Sequence, residues 1–242
     1  MKTFNSLLRY NFIIYIKSNK FIMPLIVWIA FMGVMYSIKP LDIVSSFIFS
    51  MMFLFAVMLW ISFSYLEALD SVSEQLVILK VRKEWMYYLG NNVFLMLIGI
   101  IMSFIGVLCP IIINVVNNFT LFNRRLTLED CLSSLILHII FAVLGCSVGI
   151  LCGPRCIKSR KLAVEIIVLV AIISVIKFQL IEKVNIIKYI TWILPPVCDI
   201  QAFFSNKGFF DIQNTVKSIM YGVIYTFIYN VINIEILKRK RF

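Results

Sequence analysis

One polar segment, residues 67–90, interrupts an otherwise apolar chain and carries side chains suited to binding another protein. Its first half holds three of its four acidic residues, and its second half holds all three basic ones. Ser71 and Glu74 have the three-residue spacing of a capping box, which predicts that a short helix begins at Ser71. The residues that then recur on one side at steps of three and four are Leu76, Leu79 and Lys83. The pattern predicts a short amphipathic surface helix.

Two further sets of polar side chains fall inside apolar stretches, where such groups often mark a functional pathway. His138 is the only histidine of the chain. It is either a pathway residue or a neutral ring that bonds to a neighbouring helix. The last apolar stretch carries polar residues at four-residue spacing, on one helix face: Tyr221, Tyr225, Tyr229 and Asn233. This stripe predicts either the lining of a passage or a packing face, because Tyr and Asn also form hydrogen bonds between helices.

No pattern in the sequence points to catalysis or to a metal. The six cysteines and the single histidine lack the spacing of a zinc site. No nucleophile can be paired with a base, and the sequence contains no Gly-x-x-x-x-Gly-Lys-Ser/Thr phosphate loop. We therefore expect neither an enzyme active site nor a bound cofactor or metal in this chain.

The elements that position these residues are six apolar stretches, each close to the ~20 residues that a helix needs to cross a bilayer. Hydrophobic residues make up 62% of the 242 residues, charged residues only 14%, and the mean hydropathy is +0.97. Such a composition predicts an all-α integral membrane protein with six transmembrane helices. The predicted spans are Phe21–Ile38, Ile43–Leu66, Val93–Val116, Cys131–Cys152, Ala163–Ile181 and Val216–Leu237.

The remaining segments divide the chain further. Residues 1–20 mix apolar side chains with cationic and amide ones, which predicts an amphipathic helix in the membrane interface. Residues 21–242 then form the transmembrane domain. Between the fifth and sixth spans, residues 182–215 are apolar but include Pro195 and Pro196. Because prolines remove backbone donors, this segment must be buried in protein or meet water, as in an outer loop folded back on the headgroups.

The basic residues predict the orientation, because Lys and Arg in short loops stay on the cytoplasmic side. Fifteen of the 23 fall in the N-terminal segment, the loops after spans two and four, and the tail. Both termini are therefore expected in the cytoplasm, with the chain in the plasma membrane. Three acidic residues near the inner ends can reach water or pair with loop cations: Glu67, Glu165 and Glu235. The +11 net charge is spread over four loops, which favours contact with anionic lipid and not with nucleic acid.

The order of these elements resembles the permease subunit of a type-2 ABC exporter. The resemblance rests on the amphipathic N-terminal segment, the six spans, the acidic-to-basic segment between spans two and three, and Gly90–Asn91 before span three. It implies an N-terminal elbow helix and short re-entrant or interfacial helices within residues 182–215. It also implies a coupling helix that docks on a cytoplasmic ATPase, with the contacts made by Glu74, Gln75, Leu76, Leu79, Lys80 and Lys83.

The resemblance further implies the partners and the cargo. ATP and Mg²⁺ would bind a separate ATPase chain, and a second permease copy or a related permease would complete the pathway. The exported cargo would be amphipathic or hydrophobic, such as an antimicrobial or toxic peptide, a lipid or a drug. From the residues alone, two other functions stay open: a secondary transporter or channel, and a membrane sensor or assembly protein that transports nothing.

Overall fold

The computed structural model of this chain describes residues 2–81, 84–184, 191–205 and 208–239. Within these ranges most of the backbone is helical and no strand is formed. A short 3-10 turn at Thr191–Ile193 precedes the eighth α-helix. The α-helices are α1 Lys2–Lys17, α2 Ile22–Met35, α3 Ile43–Ala68, α4 Ser71–Val81, α5 Glu84–Val116, α6 Leu128–Leu151, α7 Arg160–Lys183, α8 Val197–Ala202 and α9 Ile212–Arg239.

Five of the described helices, α3, α5, α6, α7 and α9, are long and apolar enough to cross a membrane. They match the second to sixth predicted spans. Both ends of each helix lie within a few residues of the prediction, except that α5 begins nine residues earlier, at Glu84. A sixth crossing exists only if α1 and α2 count as one bent element. The prediction of an all-α chain with apolar helices typical of a multi-pass membrane protein is confirmed.

The first predicted span, Phe21–Ile38, is shorter in the structure than expected. Helix α2 has 14 residues, which gives about 21 Å of helix against about 30 Å of hydrocarbon. It ends at Met35, and the chain turns at Tyr36 before it reaches Pro40, which has no N–H to continue a helix. The next residue, Leu41, instead donates its N–H to the carbonyl of Leu121 at 2.9 Å. The helix before it, α1, meets α2 at a bend of 78°.

Helix α1 packs on the rest of the bundle. Three buried residues at four-residue spacing, Leu7, Asn11 and Tyr15, face α5 and α3. The Asn11 amide donates to the Asn91 side-chain oxygen at 2.9 Å. Beside it, a Cβ on Gly90 would overlap the Leu7 side chain. The Gly-Asn pair therefore serves as the contact point for α1, since glycine lets the two helices approach and asparagine holds them.

The most extensive helix pair is α3 with α6. Two glycines of α6 let the backbones touch: a Cβ on Gly145 would lie 2.5 Å from the Phe55 carbonyl oxygen, and one on Gly149 would lie 2.8 Å from that of Leu59. Small residues four apart are the usual way for helices to pack closely in a membrane. We call this contact the α3–α6 seam, and the other long helices are arranged around it.

Candidate functional site

A cavity with several charged side chains in its wall lies at the end of the bundle where Lys20, Arg155 and Arg160 are found, which we call the basic end. It is a cavity of about 680 Å³, within the usual size range of small-molecule sites. Most of its wall is apolar, with a few charged and amide groups. Its residues are Lys20, Leu66, Glu67, Leu69, Glu74, Tyr88, Asn91, Asn92, Ile150, Gly153, Pro154, Arg155, Cys156, Arg160 and Leu237.

One carboxylate of this basic-end cavity joins three separate segments. Glu67, in the last turn of α3, lies 2.7 Å from Arg160 Nε at the start of α7. It also lies 3.6 Å from the ammonium of Lys20, in the turn between α1 and α2. The expectation that Glu67 pairs with loop cations is confirmed. Because one carboxylate faces two cations, the cluster keeps a net positive charge.

A second ion pair links α4 to the loop between α6 and α7. Glu74 Oε2 lies 2.7 Å from Arg155 Nη2, and Arg155 Nη1 donates to the Tyr88 hydroxyl at 2.7 Å. The guanidinium carbon also lies 5.7 Å from the centre of the Tyr88 ring, in cation–π range. Burial raises the pKa of Glu74 above its ordinary value, and Arg155 opposes that rise by favouring the charged form.

The polar segment folds into the end of α3, the whole of α4 and the first turns of α5. Helix α4 begins at Ser71 as predicted, and the Ser71 side chain, one half of the predicted capping box, lies outside the described part of the structure. The Asp70 carboxylate accepts from the N–H and the hydroxyl of Ser73, both at 3.0 Å. The Glu74 side chain turns inward to Arg155 and is only 12% exposed. It therefore lies on the side of α4 that faces the bundle.

Helix α4 has two faces with different surroundings. Its inner face holds Glu74 and Ile78, and Ile78 is buried against a cluster of Leu7, Tyr87, Tyr88 and Leu237. Its outer face leaves large apolar side chains uncovered: Val72 is 62% exposed, Leu76 63% and Leu79 72%. Gln75 and Lys80 are also exposed. The sixth residue predicted for coupling, Lys83, lies outside the described residues.

His138 lies in the α3–α6 seam and is fully buried. Its Nδ1 is 2.8 Å from the Ser134 carbonyl oxygen, and its Nε2 is 2.9 Å from the Ser50 hydroxyl. A neutral ring that donates from Nδ1 and accepts at Nε2 satisfies both contacts. The geometry favours the alternative in which this histidine bonds to a neighbouring helix.

Two tyrosines of the α9 stripe form hydrogen bonds with the 3-10 turn that precedes α8. Tyr225 donates to the Trp192 carbonyl at 2.9 Å, and Tyr229 donates to the Ile193 carbonyl at 2.7 Å. Tyr229 stands 17 residues after Ile212, the start of α9, or about 25 Å along the axis. The 3-10 turn therefore packs against the middle of α9 and not against its start. The two tyrosine hydroxyls donate hydrogen bonds to carbonyl groups that have no partner within a helix. This arrangement favours packing over pathway lining for Tyr225 and Tyr229.

The other two members of the stripe differ. Tyr221 is 46% exposed and places its ring 5.7 Å from that of Phe203. Asn233 is buried, and its amide nitrogen and oxygen have no hydrogen-bond partner within the described ranges. Neither residue lines the basic-end cavity. The stripe is thus divided between two packing residues, one exposed ring and one buried amide.

Comparisons of this chain with protein-family models, with curated proteins and with solved structures give no match. Its function has to be inferred from its own geometry.

The sequence does not predict Arg155 as a partner of Glu74, because the two residues are far apart in the chain and only the fold brings them together. Gly145 and Gly149 were also not predicted, although their four-residue spacing is visible in the sequence.

Proposed function

We propose that this chain is the transmembrane permease subunit of an ATP-driven exporter of the ABC type. The observation that carries the proposal is the two-faced helix α4, fixed to the bundle on one side and uncovered on the other. A separate ATPase subunit would bind the uncovered side. Its movements on binding and hydrolysing ATP would pass through α4 into the transmembrane helices and drive an amphipathic or hydrophobic cargo outward.

The outer face of α4 supports a protein partner. Val72, Leu76 and Leu79 follow one another at steps of four and three, so they form one continuous apolar stripe. Covering a large apolar side chain is worth about 1.5–3 kcal/mol. Gln75 and Lys80 flank the stripe and can add polar contacts at its rim. Docking is therefore assigned to Gln75, Leu76, Leu79 and Lys80, with Val72 added and Glu74 removed.

The inner face supports transmission of a movement. Helix α4 follows α3 directly, and the Glu74–Arg155 ion pair ties it to the loop that leads into α7. A partner that tilts α4 would therefore act on α3 through the chain and on α7 through Arg155. Glu74 is thus a positioning residue that links the docking helix to the bundle.

Two other features support the same proposal. If α2 crosses the membrane, the 78° bend places α1 close to the membrane plane, as expected of an elbow helix. The 3-10 turn and α8, held by Tyr225 and Tyr229, are consistent with a re-entrant element between α7 and α9. The excess of basic residues favours a cytoplasmic basic end, which would place α4 where a cytoplasmic ATPase can reach it.

The proposal is tested by purification from the native membrane in mild detergent with a tag on the C-terminal tail. We expect a stoichiometric ATPase chain to co-purify, together with ATP hydrolysis. The double variant Leu76→Ser and Leu79→Ser should reduce its recovery by at least tenfold, since about 3 kcal/mol or more of apolar contact is lost. A pure permease without any ATPase would contradict the proposal.

The matched control is the double variant Leu128→Ser and Leu132→Ser. Both leucines are strongly exposed, and they lie in the first two turns of α6, at the end opposite α4. The control removes the same apolar groups but should leave ATPase recovery unchanged. Equal loss in both variants would mean that the serines act through general destabilisation, and the docking assignment would then be wrong.

A further inference from the structure

A second opening lies beside the basic-end cavity, between α3 and α7. This α3–α7 groove has a volume of about 420 Å³ and is almost wholly apolar, with Trp60 and Phe63 on one side and Val164 and Ile167 on the other. It ends at Glu67 and Arg160, which also belong to the wall of the basic-end cavity. The ion pair between them is therefore the shared boundary of the two openings.

The dimensions of the groove match one leaflet of a bilayer. On α3 it runs from Ala56 to Glu67, and on α7 from Arg160 to Ile172. These lengths correspond to about 16–18 Å at 1.5 Å per residue, roughly half of the ~30 Å hydrocarbon core. Ile172 is 53% exposed, so the groove is open at this depth. It lies alongside hydrocarbon from one interface to near the midplane.

Charge at the end of the groove favours an acidic headgroup. The Glu67 carboxylate faces both Arg160 and Lys20, so one positive charge is left over. Arg160 makes its ion pair through Nε, and its side chain is 78% exposed, so its terminal nitrogens are accessible to a second anion. A guanidinium binds phosphate or carboxylate oxygens in pairs. The charged boundary and the apolar groove together fit a molecule with an acidic head and an apolar tail.

We propose that the α3–α7 groove binds an anionic membrane lipid, with its chain along Trp60 and Phe63 and its headgroup against Arg160 and Lys20. A free anion is the less suitable occupant, because most of the groove is apolar and one leaflet deep. The bound headgroup competes with Glu67 for Arg160. The lipid therefore loosens the boundary between the groove and the basic-end cavity. This site requires no ATPase and is independent of the exporter proposal.

Trp60 provides the test, because its ring is part of the groove wall. The full-length protein is reconstituted in vesicles that contain phosphatidylglycerol or phosphatidylcholine with brominated chains, which quench tryptophan on contact. Subtracting the signal of the Trp60→Phe variant isolates Trp60 from the other tryptophans. We expect brominated phosphatidylglycerol to quench Trp60 several-fold more effectively than the same fraction of brominated phosphatidylcholine. Equal quenching by the two lipids would overturn the proposal.

Charge variants locate the headgroup. Arg160→Gln should reduce the preference for phosphatidylglycerol about fivefold, the effect of one basic side chain near the surface. Lys161→Gln is the matched control: it removes the same charge from the adjacent exposed position of α7, which does not line the groove. It should keep most of the preference. If both variants lose it equally, the attraction comes from the general charge of this end and the site is refuted.

A variant that is expected to raise the lipid preference distinguishes a specific effect from loss of folding. Glu67→Gln removes the competing carboxylate and should raise the preference for phosphatidylglycerol, a gain that a misfolded protein would not show. A fall in preference would contradict the proposed competition. Inorganic phosphate at the same ionic strength as a chloride control should leave the quenching unchanged. If phosphate alone displaces the lipid, the groove selects a free anion and the lipid assignment is wrong.

Discussion

The α3–α6 seam and the basic end both hold helices together, but with opposite chemistry. In the seam, Gly145 and Gly149 let two backbones touch, with no side chain between them at those points. At the basic end, the helices stand apart around a cavity, and charged side chains cross the gaps between them. A close backbone contact has one geometry, whereas an ion pair beside an open cavity can exchange its partner for water or a ligand. We infer that the seam stays fixed while the basic end rearranges.

The largest expected effect comes from filling the seam. Gly145→Ala places a Cβ 2.5 Å from the Phe55 carbonyl oxygen, and two helix backbones must separate to accommodate it. We expect a loss of about 2–4 kcal/mol, at or above the upper end for an overpacked core. The measurement is the midpoint of thermal unfolding in detergent, followed by tryptophan fluorescence.

Gly33→Ala is the control for this substitution. Gly33 also lies inside a helix, but a Cβ there meets nothing within 4 Å. The change should be neutral or stabilising by up to about 1 kcal/mol, since alanine favours a helix. If Gly145→Ala is as well tolerated as Gly33→Ala, the α3–α6 contact is not the rigid region we describe.

An intermediate effect is expected at the second ion pair of the basic end. Arg155→Gln leaves the inward-facing Glu74 carboxylate without its cation, at a cost of about 1–3 kcal/mol near neutral pH. The loss should depend on pH. Burial already raises the pKa of Glu74 above 4.5, so the folded state favours the protonated acid. Removing Arg155 raises this pKa further, because the cation no longer stabilises the carboxylate.

The direction of this pH dependence follows from the raised pKa of Glu74. Stability from a raised carboxyl pKa is complete below the ordinary value of 4.5 and is lost as the pH rises through the folded pKa. The gap in melting temperature between wild type and Arg155→Gln should therefore widen as the pH rises above the ordinary value of 4.5. The control compares Glu74→Gln with the double variant Glu74→Gln and Arg155→Gln, and the gap within this pair should not change with pH because neither protein carries the carboxyl group. A gap that widens equally in both pairs would exclude Glu74 as its source.

These contrasts also separate what the sequence predicts from what it does not. Long apolar runs fix where α3, α6, α7 and α9 lie, because the number of residues needed to cross hydrocarbon leaves little choice. The start of α4 follows from local polar residues, although Asp70 is the cap and Glu74 is not. Local patterns are enough for elements of this kind, since hydropathy and capping act over a few neighbouring residues.

The contacts that define the candidate site could not be predicted in the same way. Glu74 and its partner Arg155 are 81 residues apart in the sequence, and Tyr229 is 36 residues from Ile193, whose carbonyl it binds. Such pairs depend on how whole helices pack, and a single sequence carries no record of that. The chain after α2 depends on a distant contact too, since Leu41, six residues beyond the helix end at Met35, pairs with the backbone of a distant loop. The Gly145–Gly149 spacing, by contrast, is a packing signal that can be read from neighbouring residues.

The smallest expected effect on stability comes from Glu67, although it joins three segments of the chain at the basic end. Glu67→Gln removes ion pairs whose cations are well exposed, 37% for Lys20 and 78% for Arg160. Pairs of this kind are worth about 0–1 kcal/mol, because water solvates the cations when the carboxylate is gone. The melting temperature should therefore shift by a few degrees at most, and less at high salt. A loss as large as that of Gly145→Ala would show that the basic end is as rigid as the seam, and the inferred division between a fixed and a rearranging region would fail.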